Sequence, residues 1–196
     1  MLFRSRYNRV EYVFGASAAA AMYSRKMIDD IAGPDGFFDP DFFAYREDAD
    51  VAWRAQLLGW RCLYTPYAVG HHVRGVVPGS RKSVPAVLNM HSVKNRFLMR
   101  TKNLTSGLLR NFWPAMMSRD LQILGGCLLI EQKSLSAYWR FAKCFRKALV
   151  KRREIMSRKR VPEEYLVQWF TPGATGKEPV QHLSPREALY HYKVID

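Results

Sequence analysis

Apolar and polar positions alternate only briefly in the first third of the chain and follow a helical period further on. Residues 10–14 alternate, Gly15-Ala16-Ser17 interrupts them, and residues 18–23 form a continuous apolar run. This pattern predicts two short strands about a glycine turn. Ser24 is placed to cap a short helix over 25–32, which Gly33-Pro34 ends. Residues 36–44 read as a loop, yet Phe37, Phe38, Phe42 and Phe43 make it too apolar to be merely solvated. It is expected to fold down over a pocket. A helix then begins near Glu47. Glu47, Asp48 and Asp50 suit its positive dipole end, and Val51, Ala52, Ala55 and Leu58 supply its apolar face. Gly59 is a natural stop just past its end. Residues 61–65 read as a strand closed by Pro66, and residues 68–73 as a further extended segment.

After a Gly-, Pro- and Ser-bearing linker over 75–85 the texture turns helical. Val84, Leu88, His91, Asn95, Leu98 and Met99 form one stripe, with Lys94, Arg96, Arg100 and Lys102 around it. A second helix is expected over 120–131. A third opens at Ser134 and carries Leu135, Tyr138, Trp139, Ala142, Phe145 and Leu149 at helical spacing. Arg140, Lys143, Lys147 and Lys151 lie on its other side. Past Pro162 the periodic signal fades, and residues 162–196 are expected to be an irregular tail. The fold class is α+β: short strands plus helices, followed by a basic helical extension.

Composition narrows the function. Of 196 residues 48% are hydrophobic, and the three cysteines, Cys62, Cys127 and Cys144, are too few and scattered for a disulfide framework or zinc site. No leader pattern opens the chain, and its longest apolar run falls far short of the ~20 residues that span a bilayer. The charge is +14, unevenly spread: residues 1–60 carry −2 and residues 61–196 carry +16. Such asymmetry points to a polyanionic partner for the second part, a nucleic acid or an anionic membrane surface.

Residues 36–60 carry the most chemistry. Glu47 and Asp48 sit where the aromatic loop hands over to a helix N-terminus. A carboxylate there is placed to act as a general base, behind aromatic rings that exclude water. Spacing alone favours a helix-capping aspartate. Four features in order resemble the acceptor-side half of a family-2 glycosyltransferase of the GT-A fold, rhamnosyltransferase-like: the Gly15-Ala16 turn; the block G-x-F-D-x-x-F-F-x-Y-x-E-D-x-D-x-x-x-R from Gly36 to Arg54; Gly59 and Pro66; and His72 after the next extended segment. Asn95-Arg96 and Lys102-Asn103 resemble the helical tail of those enzymes.

The resemblance implies an inverting transfer of a sugar from a nucleotide-sugar to a glycan or lipid-linked acceptor, in the building of a cell-surface polysaccharide. Asp48 would be the base, with Glu47 positioning the acceptor or orienting Asp48. Gly15, Ala16, Phe43, Tyr45 and Arg54 would bind it. Arg54 fits an ion pair with Glu47 or Asp50 equally well. His72 would reach the diphosphate or a divalent metal, Mg or Mn; a structural role for it stays open.

Family-2 enzymes carry a nucleotide-binding half with a D-x-D metal pair before this region. Asp39-Pro-Asp41 and Asp48-Ala-Asp50 do not follow an apolar strand, so neither is read as that pair. The chain alone is therefore expected not to turn over. It would be a gene fragment or the partner of a separate chain carrying the nucleotide-binding half. On this reading residues 1–9 are a tail, 10–77 the acceptor-side part, 78–161 the basic helical extension and 162–196 the irregular end. Lys94, Arg96, Arg100, Lys143, Lys147, Lys151, Arg152 and Arg153 would face an anionic surface, with the protein at the inner face of the cell membrane. Helices packed on the catalytic part with merely solvated basic faces explain the charge as well. Two further classes stay open: a non-catalytic membrane-associated partner derived from a glycosyltransferase, and a basic helical nucleic-acid-binding protein.

Overall fold

The computed structural model describes residues 9–70 and 85–171. They form an α+β fold that is mostly helical. Strand β1 (Glu11–Val13) pairs antiparallel with β2 (Cys62–Tyr64), Tyr12 opposite Leu63. Between them lie α1 (Arg25–Ile31) and α2 (Glu47–Leu57). The later residues form α3 (Ala86–Asn103), α4 (Ser106–Leu129), α5 (Ser136–Ser157) and α6 (Glu163–Phe170).

Local chemistry accounts for the boundaries. Gly59, at φ 86°, ends α2 in a conformation that costs glycine little. Thr105 caps α4 by accepting the Leu108 N–H. Glu163 then accepts the Gly107 N–H at 3.0 Å, so the start of α6 satisfies the start of α4.

Three expectations need correction. Residues 18–23 do not form a strand: Ala18–Ala20 make a 3₁₀ turn capped by Ser17, because alanines lack the branched side chains that favour a sheet edge. Helix α4 starts at Ser106, well before the expected 120, and runs through Pro114; it is apolar on two sides, which hides its period. Residues 162–196 are not all irregular, since α6 begins directly after Pro162. Glu163 and Glu164 occupy its first turn, a start signal passed over in so short a helix.

Residues on both sides of 77/78 share one core. Ile31, Val51, Trp53 and Leu57 from the first part share one buried cluster with Leu108 and Leu166 from the second. Phe14, Trp53, Phe112 and Phe170 stack edge-on or tilted within it, at centroid distances of 5.3–6.2 Å. Buried Gln56 ties its edge: its amide donates to the Phe14 carbonyl at 2.9 Å and its oxygen accepts from the Tyr165 hydroxyl at 2.6 Å.

A second, polar interior lies between α2, α3 and α5. The Lys102 ammonium, 2% exposed, donates to Asp39 at 2.6 Å and Asp50 at 2.9 Å. Asp50 also accepts from Arg54 at 2.9 Å and Asn103 at 2.7 Å. At the solvent edge of this set Lys151 reaches Asp35, Asp39 and Asp41 at 2.6–2.8 Å, and the exposed Lys147 reaches the exposed Asp35 and the half-buried Asp41. Removing one partner of such a buried set leaves charge without compensation. Lys102→Ala is therefore expected to lower stability by about 3–5 kcal/mol in urea denaturation. Arg25→Ala, which breaks an exposed pair with Asp29, is expected to cost about 1 kcal/mol or less.

Candidate functional site

The loop entering α2 is the most strained backbone in the described residues. Phe43, Tyr45 and Arg46 hold φ values of 64°, 66° and 69°, a left-handed conformation unusual for bulky side chains. Asn95 on α3 compensates. Its fully buried amide nitrogen shares two N–H donors among the carbonyls of Phe42, Ala44 and Tyr45 at 2.7–2.8 Å. Lys94 donates to the Asp41 carbonyl beside it. Phe42 is buried against Leu98 and Ala148, under the Lys102 ammonium. The next ring is therefore thrown outward: Phe43 is 74% exposed and lies against His91 at 4.8 Å. Tyr45 is exposed as well.

Arg46 takes the N-cap position of α2, so Asp48 does not; it sits in the first turn. Asp48 is half-buried and accepts from the Ala49 N–H at 2.8 Å and the Ala18 N–H at 3.3 Å. Glu47 is half-buried beside it, and its Oε2 is shut off from solvent with no hydrogen-bond partner. The Tyr23 hydroxyl is also shut off and unpartnered, and burial, with the charges of Asp48 and Cys62, pushes it above its usual range. Arg46 donates to the Ser92 carbonyl. Burial and then the positive charges of Arg96, Arg100 and Arg119 pull Arg46 below the usual arginine value, against the opposing pull of Asp48. One acidic side chain, Asp120, answers Arg96 at 3.0 Å and Arg100 at 2.5 Å. Carboxylates, two outward rings and a group of arginines thus meet at one end of α2.

The remaining expected site residues are placed as follows. Gly15 runs so close to α2 that a side chain there would strike Ala52, and Ala16 follows it half-buried. Arg54 is buried and spends its three nitrogens on Asp50, Ile31 O and Phe37 O, so it holds the loop rather than an acceptor. His72, with its neighbour His71, lies outside the described residues. The expected wall of four phenylalanines over a pocket is corrected. Phe42 is core, Phe37 packs edge-on against Tyr23 and Phe38 at 5.1 and 4.7 Å, and Phe43 points outward against His91. A cleft of about 40 Å³ opens elsewhere, among Ile31, Asp35, Asp39, Arg54, Lys102 and Lys151.

Asp35, Asp39 and Asp41 bring their oxygens together as metal ligands would. Those oxygens already face Lys102, Lys147 and Lys151, and three ammonium groups do not fit beside a divalent cation. Six of the eight residues expected to meet an anionic surface are likewise engaged internally. Lys94 and Lys151 bind the loop, Lys147 pairs with Asp35 and Asp41, Arg96 and Arg100 pair with Asp120, and Arg152 donates to the Thr101 and Leu104 carbonyls. Lys143 and Arg153 are exposed.

Sequence reasoning missed Arg46, Tyr23, His91 and Arg119 as site residues. Asn95, Lys102 and Asn103 did carry a signal: spacings of seven and eight put three polar side chains on one helical face. Comparison with models of known protein families, with curated proteins and with solved structures found no match.

The polar interior titrates at its acid end. Burial works to raise the Asp39 carboxyl, but the Lys102 ammonium, with hydrogen bonds from Lys102, Lys151 and the Asp41 N–H, holds it at about 2. A native pKa below the unfolded value of ~3.9 stabilises the fold above that pH, and the contribution is lost as pH falls toward 2. Between pH ~4 and ~2 the native chain is expected to lose on the order of 2 kcal/mol more stability than Asp39→Asn does, read from urea midpoints.

Proposed function

We propose that this chain is the acceptor-side part of an inverting glycosyltransferase of family-2 type. The observation that carries the reading is the meeting of Asp48, the unmet Glu47 oxygen, the outward Phe43 and Tyr45 rings and the Arg46–Arg96–Arg100 group at one end of α2. Exposed aromatic rings suit the apolar faces of a sugar. Unmet carboxylate oxygen suits a hydroxyl, and the Arg46 guanidinium suits a phosphate carried by donor or acceptor. Backbone strain at this point, held by Asn95, is what a preorganised site stores.

In this reading an acceptor hydroxyl lies against Asp48, and Glu47 accepts a second hydrogen bond that orients it. As the hydroxyl oxygen forms its bond to the anomeric carbon, its proton passes to an Asp48 carboxylate oxygen. The anomeric carbon–oxygen bond to the diphosphate breaks with its electron pair leaving on phosphate, and configuration inverts. Donor recognition and any divalent metal belong to residues other than those described, and the acceptor is a glycan or lipid-linked glycan of a cell-surface polysaccharide.

Asp48→Asn tests the assignment in the chain joined to a nucleotide-binding half. It keeps the side chain's size and one accepting oxygen for Ala18 or Ala49. The expected result is a fall in kcat of about 100-fold or more, with the melting temperature and acceptor affinity little changed. Near-full turnover would make Asp48 a first-turn helix residue and nothing more.

A further inference from the structure

Helix α4 carries more apolar surface than its neighbours among the described residues cover. Along its 24 residues, Phe112, Met116, Ile123 and Cys127 turn toward the protein, half-buried or buried. Leu109, Trp113, Met117, Leu121 and Leu128 fall on the adjoining face at helical spacing, and each is 50–62% exposed. Ser118 and Gln122 lie on the far side. The helix then runs out onto Leu129 and Ile130, exposed at 85% and 81%. An uncovered apolar strip ~28 Å long is rare on a protein surface that meets only water.

The charges around the strip select its partner. Arg110, Arg119, Lys133, Arg140, Lys143 and Arg146 are all exposed on α4, α5 and the turn between them. The three carboxylates of this hairpin are all answered: Asp120 by Arg96 and Arg100, Glu131 by Asn89 and Glu154 by Arg158. A second copy of this chain packed through the same face would set cations against cations, with no unanswered carboxylate on the hairpin to meet them. A nucleic acid would leave the leucines and methionines without a role. Anionic lipid meets both features at once, headgroups for the cations and acyl chains for the strip.

We propose that α4 lies in the plane of an anionic bilayer interface, with Leu109, Trp113, Met117, Leu121 and Leu128 entering the acyl boundary. No described helix is long and apolar enough to cross a membrane. The inference stands apart from the sugar-transfer reading. It also moves the membrane face away from Lys94, Arg96, Arg100, Lys147, Lys151 and Arg152, whose charges are used inside the protein.

Vesicle sedimentation of the full chain tests it, with phosphatidylcholine alone or mixed with phosphatidylglycerol. Binding is expected to the mixed vesicles. It should be weakened about tenfold or more by Met117→Asp with Leu121→Asp, and far less by Ser118→Asp with Gln122→Asp, which add the same charge to the opposite face. Quenching of tryptophan emission by brominated acyl chains should fall in Trp113→Phe, a variant conservative enough to keep the fold. The proposal is overturned by equal loss in the two double variants, by absence of binding to anionic vesicles, or by quenching that Trp113→Phe leaves unchanged. It is also overturned by a solution dimer that Met117→Asp with Leu121→Asp converts to monomer without any vesicle binding.

Discussion

Two turns of α3 hold the candidate site in place. Asn95 gathers three carbonyls of a left-handed loop, and one helical face further on Lys102 and Asn103 close over the Asp50 carboxylate. Each contact spans about fifty residues of sequence, so α2's N-terminus is positioned by a distant helix rather than by its own capping chemistry. Left-handed bulky residues cost on the order of 1 kcal/mol each, and they persist only where surrounding contacts over-determine them. The outward aim of Phe43 and the inward burial of Phe42 follow from that strain. So does the half-buried placing of Glu47 and Asp48 beside the loop.

The same contacts give the charge asymmetry an internal cause. The acidic residues of the first part, Asp35, Asp39, Asp41 and Asp50, receive Lys102, Lys147 and Lys151 from the second. Asp30 likewise receives Arg158 and Arg160. Much of the opposition between a negative beginning and a positive remainder is therefore satisfied within the chain. The cations left over are concentrated on α4 and α5, next to apolar side chains that nothing in the described residues covers.

Elements with a single buried face were legible in the sequence. The helix from Glu47 to its stop at Gly59, the helix after Pro85 and the short strands about 12 and 63 follow from period and punctuation. Helix α4 escaped because apolar residues on two sides blur any period, and α6 because eight residues give the period little room. At the site, Glu47 and Asp48 stood out as adjacent carboxylates at a helix start. Arg46, Tyr23 and His91 did not, because their roles depend on a left-handed turn and on burial that no local pattern encodes. The internal partners of basic residues were hidden for a related reason. Counting charge does not tell a lysine facing solvent from one facing an aspartate a hundred residues earlier, as Lys151 does with Asp39 and Asp41.

Whether α3 governs the geometry of the site is read most directly by amide hydrogen exchange over residues 39–51, in the native chain and in Asn95→Ala. Loss of the three carbonyl contacts should speed exchange about tenfold or more across the loop and the first turn of α2, while the α4–α6 contact keeps its protection. Unchanged protection over 39–51 would contradict the account, since the strained loop would then be holding itself.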